Sequence, residues 1–186
     1  MSYASFDYWT LKKYVPDYIC DEIIKNHTEF EDGTLRCGPD NFPDNYRKSG
    51  ICWINDPFYK NLFFDVISRA NNQSGLNFQL DGVENLQLTK YVAPDGHYGF
   101  HTDCNGYSRV NVDDNIRKLS MSCLLTDPNE FEGGNFQFNL SDEPYDVKLE
   151  KGDIIIFASY FLHRISPVTK GVRHSLVAWA NGRAFV

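Results

Sequence analysis

Apolar positions recur at helical spacing in the front of the chain and at every second residue further on. Val15-Pro16-Asp17 followed by Tyr18-Ile19-Cys20-Asp21-Glu22-Ile23-Ile24 predicts a first helix with Asp17 as its N-cap. A second helix is expected from Asp56-Pro57, with proline at its first position, through Phe58, Leu62, Val66 and Ala70. Asn71-Asn72-Gln73-Ser74-Gly75 should end it. The period then changes to two. Leu86–Val92 reads as a strand turned by Pro94-Asp95-Gly96. Leu119, Met121, Cys123 and Leu125 alternate with Ser120, Ser122 and Thr126, and Phe136, Phe138 and Leu140 alternate with Asn135, Gln137 and Asn139. Val147-Lys148-Leu149 leads through a Lys151-Gly152-Asp153 turn into a buried strand, Ile154–Phe157, and Val172–Trp179 closes the series.

Short strands separated by Gly and Pro turns argue for a sandwich or jelly roll. Helices first and strands second make the fold class mostly β with flanking N-terminal helices. A jelly roll (double-stranded β-helix) is the expected core, because it aims side chains from several strands into one interior. Neither a repeat nor a linker divides the 186 residues, so one domain over 1–186 is expected. Helical and loop support would occupy about 1–80 and the jelly-roll core about 81–186.

Charge and cysteine usage narrow the partners. A net charge of −7 repels phosphate backbones, which disfavours nucleic acid. Five cysteines without CxxC spacing read as reduced thiols, and the N-terminus lacks a basic flank followed by an apolar stretch. Ile154–Ala158, the richest apolar run, is too short to span a bilayer. The expectation is a cytoplasmic chain without membrane contact, most simply a monomer.

The candidate chemistry lies in His101-Thr102-Asp103, His163 and Arg173. Two imidazoles and a carboxylate, with His101 and Asp103 on one face of a strand and His163 arriving from the end of a later one, form a facial set for Fe(II) that leaves positions open. In the last strand Arg173, Ser175, Val177 and Trp179 share one face, while His174, Leu176, Ala178 and Ala180 share the other. An arginine buried in a barrel needs a partner charge. A dicarboxylate whose other end chelates the metal is that partner, with Ser175 adding a hydroxyl, so the residues point to an iron oxygenase that consumes 2-oxoglutarate. Tyr91 and Tyr98 either donate hydrogen bonds near the iron or pack the core. His27, His97 and His174 read as structural. Arg36–Ser49 is either a binding lid or a solvated connection. A non-catalytic jelly-roll module that keeps metal as a structural or sensing site is the competing class; a metal-only site has no need of an inward Arg173.

These segments resemble the Fe(II)/2-oxoglutarate dioxygenases, specifically the branch with collagen-type prolyl 4-hydroxylases and hypoxia-type prolyl hydroxylases. Leu86–Tyr91 with Tyr98–Asp103 is similar to the first half of that family's iron motif, Phe131–Phe136 to its Gly-Gly turn, and His163–Trp179 to the second half. Arg47–Ile54 resembles the segment after the substrate-covering loop. The resemblance implies Fe(II) on His101, Asp103 and His163, and 2-oxoglutarate held at its distal end by Arg173, with Tyr91, Tyr98 and Ser175 also toward the co-substrate. It further implies O2 as co-substrate, ascorbate as a further cofactor, and hydroxylation of proline in a peptide or protein. Arg47 and Trp179 would meet substrate, Trp179 packing below the triad. Two departures stand out. Ser122-Cys123-Leu124 lacks the tyrosine that hypoxia-type enzymes place on the 2-oxoglutarate tail, so Ser175 or another group must compensate. Arg47-Lys48-Ser49 lacks the acidic residue those enzymes pair with their loop arginine. The same chemistry on a free amino acid or small metabolite is the alternative within the class.

Overall fold

The computed structural model describes residues 2–4, 8–33, 46–104 and 115–184. Its elements begin with β1 (Ser2–Ala4), β2 (Tyr8–Leu11), α1 (Asp17–Asn26), β3 (Glu31–Asp32), β4 (Arg47–Lys48), β5 (Gly50–Ile54) and α2 (Pro57–Ser74). There follow β6 (Gly82–Val83), β7 (Leu86–Val92), β8 (Gly96–His101), β9 (Asn115–Leu124) and a 3-10 turn at Pro128–Glu130. The last are β10 (Phe131–Gly133), β11 (Phe136–Phe138), β12 (Tyr145–Val147), β13 (Ile154–Ala158) and β14 (His163–Arg183).

Helix ends follow local chemistry, with one correction to the sequence reading. Asp17 is the first residue of α1 rather than its cap; Pro16 occupies the cap position without a side-chain bond. The Asp17 carboxylate still lies in the first turn, where the helix dipole favours it. In α2 the Asp56 carboxylate caps Phe58 N at 2.7 Å, as expected of an Asp-Pro start. The helix continues through Asn71–Ser74 and stops at Gly75, which takes the left-handed conformation (φ 76°). Asn71, expected as part of the break, instead accepts from Phe78 N and donates to Phe78 O, tying the exit turn to the helix. The buried face is Phe63, Val66, Ile67 and Ala70, and Phe58 points outward at 69% exposure. Burial of about 2 kcal/mol per large apolar side chain outweighs the Phe58–Leu62 spacing and sets the helix's rotation.

The strands make two facing antiparallel layers, the mostly-β jelly roll with flanking helices that the pattern suggested. The larger runs β1-β2-β13-β9-β14-β7-β5-β3. Residues 1–80, expected as helical and loop support, thus also lend β2 and β5 to it. The smaller layer has β8, β10 and β11 against the first part of β14, with β4 on β8 and β12 on β11. One face of the larger layer (Leu86, Leu88, Leu119, Met121, Leu176, Ala178) packs under Cys20 and Ile23 of α1 and Phe63, Val66 and Ile67 of α2. The opposite face meets the smaller layer through Tyr91, Leu124, Ile155 and Phe157 against Phe136, Phe138, Ile165 and Val168.

The strand expected over Val172–Trp179 is the second part of a longer one. β14 begins at His163, pairs with β11 up to Ile165 and with β8 up to Val168, and pairs with β7 from Val172 and with β9 from Ser175 onward. Gly171 (φ 73°) lies between these parts; a Cβ there would sit 2.1 Å from Glu130 O, so glycine is required. Of the stretch Arg36–Ser49, residues 36–45 and Cys37 with them lie outside the described residues. Its end is a strand, since Arg47 and Lys48 pair with Tyr98 and His97.

Candidate metal and dicarboxylate site

His101 ends β8 and His163 opens β14, where the two are directly paired. His163 therefore enters from the start of the strand that also carries Arg173, not from the end of β13. Asp103 lies just past β8 rather than on it. Its placement comes from its N–H, which donates to Ser159 O at 2.8 Å, and from Ser120 Oγ, which donates to Asp103 Oδ2 at 2.7 Å. Ser159 Oγ is 2.9 Å from Ser120 Oγ and completes this support. Asp103 Oδ1 lies 3.6 Å from His101 Nε2, and Oδ2 lies 3.5 Å from His163 Nε2. One ligand atom from each residue falls within 4.8 Å of the others.

This donor set fits a single first-row metal ion. Two ligands bound at about 2.1 Å in neighbouring octahedral positions stand roughly 3 Å apart, so small rotations suffice. The tautomers also fit. His101 Nδ1 donates to Gly99 O at 2.8 Å and His163 Nδ1 donates to Phe161 O at 2.9 Å, which leaves each Nε2 lone pair aimed at the ion position. Burial and the neighbouring His163 push the His101 imidazole down to about 3. Burial pushes the Asp103 carboxyl up, but the two imidazoles, Arg117 and the Ser120 hydroxyl outweigh it and hold it below the usual range. A neutral His101 and an ionised Asp103 are the forms that ligate.

The walls are aromatic. Tyr98 stacks on His101 (centroids 3.5 Å, 15°), Phe136 on His163 (5.6 Å, 13°), and Phe157 meets His163 edge-on at 4.7 Å. Together they border a cleft of about 330 Å³.

Arg173 is 1% exposed and, among the described residues, makes neither a hydrogen bond nor an ion pair; its Nη1 is a buried donor without a partner. Burial pushes its guanidinium down to about 10, which still leaves it cationic at neutral pH. Tyr91, itself buried, lies opposite it in the strand register with its ring 5.7 Å from the guanidinium carbon. Ser175 and Val177 face the cleft, and His174 and Leu176 face away from it, as alternation required. The Gly-Gly turn makes room for the arginine. Gly134 has φ 61°, and a Cβ there would come within 2.8 Å of Val168 Cγ2 and 3.0 Å of Arg173 Cδ. An orphaned buried cation against Tyr91, itself a wall of the cleft that holds the metal-type donor set, is the arrangement a chelating dicarboxylate fits.

Arg47 stands over the Tyr98 ring at 4.5 Å and donates to Ser49 Oγ and Gln87 Oε1. Trp179 does not stack under the triad. Its ring is covered by Arg117 at 3.8 Å and flanked by Trp53 at 6.2 Å, and its backbone pairs with Ser120, the residue that holds Asp103. His27 and His97 bond to backbone carbonyls at Ile23 and Asp95, away from the cleft.

Several residues at the site were not singled out from the sequence. Gln87 and Thr89 share a face with Tyr91 at i, i+2 and i+4 of β7, a signal that was legible. Ser120 and Ser122 are the polar members of an alternation whose polar side turns out to be buried. Arg117 and Glu84, joined by two hydrogen bonds of 2.7 and 2.6 Å, have no local signal because 33 residues separate them.

No family model matches the chain. A PKHD-type hydroxylase of Synechococcus sp. (strain CC9311) is 30% identical over 166 residues, 85% of this chain and 69% of the relative. Another, from Aliarcobacter butzleri (strain RM4018), is 40% identical over 85 residues, 45% of this chain and only 38% of its own length. Among solved structures, a Pseudomonas putida prolyl-4-hydroxylase superposes with TM-score 0.71 at 22% identity, over 96% of this chain and 94% of that one. The viral collagen prolyl hydroxylase of Paramecium Bursaria Chlorella virus-1, in its 2OG complex, gives 0.71 at 18% identity over 95% and 96%. A Trichoplax adhaerens prolyl hydroxylase, in complex with a hypoxia inducible factor peptide fragment, gives 0.70 at 15% over 95% and 84%. At these identities the structural likenesses establish the fold.

Proposed function

Because the chain belongs to the PKHD-type hydroxylase family, we propose that this cleft is the active site of a Fe(II)- and 2-oxoglutarate-dependent dioxygenase that hydroxylates proline in a peptide or protein. The observation that carries the reading is Arg173, a fully buried cation without an ion-pair partner among the described residues, on the same strand as the metal-type ligand His163. A structural metal site leaves that charge unexplained; a co-substrate with two carboxylates accounts for it.

His101 Nε2, His163 Nε2 and an Asp103 oxygen would hold iron from one side, with Ser120 and the two backbone carbonyls fixing their orientation. Arg173 would seat the distal carboxylate of 2-oxoglutarate, with hydroxyls from Ser175 and Tyr91 beside it. Ser175 then takes the part that a tyrosine on β9 plays in hypoxia-type enzymes. When bound, iron and 2-oxoglutarate supply the oxidising power that inserts an oxygen atom from O2 into a C–H bond. The protein's work is placement and exclusion of water. Tyr98, Phe136 and Phe157 wall the ligands, and Arg47 and Trp179 line the cleft where substrate would lie. A peptide substrate is supported by the Trichoplax neighbour, which holds a peptide fragment. The reading takes 1–186 as one catalytic domain, a cytoplasmic monomer; no helix among the described residues is long and apolar enough to cross a membrane.

The test is incubation of purified protein with Fe(II), 2-oxoglutarate, ascorbate and proline-rich peptides, following succinate and peptide mass. Succinate formation with one added oxygen on proline is expected. Succinate with unmodified peptides would overturn the substrate assignment, and no succinate from metal-loaded protein would overturn the enzyme assignment.

A further inference from the structure

The cleft wall formed by Gln87, Arg47 and Trp179 has an unbalanced hydrogen-bond inventory. Gln87 is 6% exposed, and its Oε1 accepts from Arg47 Nη2 at 3.0 Å and from Thr89 Oγ1 at 3.2 Å. Arginine has donors only, so the amide oxygen must be the atom facing it, and this fixes which way the Gln87 amide points. Its N–H2 group is left with no acceptor among the described residues, on a side chain that borders the cleft. Trp179, on the same wall, has a buried indole N–H without an acceptor. The wall's carboxylate, Glu84, is occupied at both oxygens by Arg117. Acceptors here are consumed internally, while donors remain.

The geometry points to Gln87 as a specificity-determining residue whose side-chain N–H2 donates to a main-chain carbonyl of the substrate, an inference that rests on the peptidyl-proline reading. The chemistry matches that substrate class. An X–Pro linkage has no N–H, so its polar signature is a carbonyl acceptor, and a wall of donors reads it without leaving a substrate donor unpaired. Position separates this contact from the co-substrate anchor. Gln87 is in register with Val177, and Tyr91 with Arg173, four residues away along both strands. That is about 13 Å of strand between the two backbone positions, which sets the amide and the anchor apart along the wall. Arg47 holds the amide in place and stacks on Tyr98, which stacks on His101, so the donor is tied through three contacts to a metal-type ligand.

The test compares wild type with Gln87→Glu and Gln87→Leu, using poly(L-proline) as the peptide probe. Gln87→Glu keeps an oxygen for Arg47 and Thr89 but places an acceptor where the N–H2 stood; Gln87→Leu removes both. The expected result is a KM for the peptide raised about tenfold or more in both variants, with the KM for 2-oxoglutarate moved less than about twofold. A peptide KM within about twofold of wild type in either variant overturns the inference. So does a rise in the KM for 2-oxoglutarate, which would make the co-substrate the acceptor. If wild type adds no oxygen to the peptide while forming succinate, the peptidyl-proline reading fails and takes this one with it. That outcome is distinct from variants that match a wild type active on the peptide.

Discussion

Replacing Arg173 by methionine should make the protein more stable and unable to respond to 2-oxoglutarate. The side chain is 1% exposed, and burial holds its guanidinium down at about 10. A fall from the ordinary arginine value to about 10 corresponds to a penalty of roughly 3 kcal/mol on the charged form in the fold. Below pH 10 the group is charged in both folded and unfolded chains, so the penalty applies in full at neutral pH. Only as pH rises past about 10 does the fold recover it. Methionine removes the charge but fills the space less well. A net gain of about 1–3 kcal/mol is expected, as for other buried charges replaced by apolar groups. For a chain of this size that is a Tm increase of roughly 3–10 °C. Wild type should instead gain about 2.7 kcal/mol from 2-oxoglutarate at a hundredfold excess over its Kd. The assay is calorimetric melting of Mn(II)-loaded wild type and Arg173→Met, each with and without 2-oxoglutarate. Melting of the variant below wild type in the absence of 2-oxoglutarate, or an undiminished shift on its addition, would refute the reasoning.

Other outcomes follow from neighbouring contacts. Ser120→Ala removes the 2.7 Å bond to Asp103 and should weaken metal affinity about 10- to 100-fold, read by chelator competition. Gly134→Ala forces a Cβ into Val168 Cγ2 and Arg173 Cδ at positive φ. It should cost more than about 1 kcal/mol by urea unfolding and weaken 2-oxoglutarate binding measured by calorimetry. His174, pushed down to about 4 by burial, Lys90 and Arg173, stays neutral in the fold where the unfolded chain protonates. Stability should therefore fall as pH drops from about 6.5 towards 4, and urea midpoints of His174→Gln should fall less over that window.

The face assignments of the last strand were readable because alternation is local: Ser175 and Val177 toward the cleft, Leu176 and Ala178 away from it follow from a period of two, and Arg173 lies buried against Tyr91 on the first of these faces. The His101–Asp103 pair was readable as a motif, yet its geometry was not. Asp103 is positioned by Ser120 and Ser159, which reach it from two other strand regions. The origin of His163 was missed because the turn after β13 carries no Gly or Pro to mark a fresh strand, and Pro167 and Gly171 interrupt the pattern of β14. Helix α2 stops inside the expected segment, at Gly75, but polar Asn71 finds both its partners at Phe78, a pairing that only the folded exit turn creates. Likewise, the Gly133-Gly134 pair is visible in the sequence, but its service to the Arg173 side chain is a tertiary fact.

β14 belongs to both layers, pairing with β8 and β11 at His163 and with β7 and β9 from Ser175 onward. Partial opening therefore has no harmless version here. Peeling off either layer disturbs the backbone that carries both an imidazole and the guanidinium, so a half-open molecule should lose iron and 2-oxoglutarate together rather than strand a loaded metal without its reductant. Amides around residues 163 and 173 should accordingly exchange with solvent through one shared event.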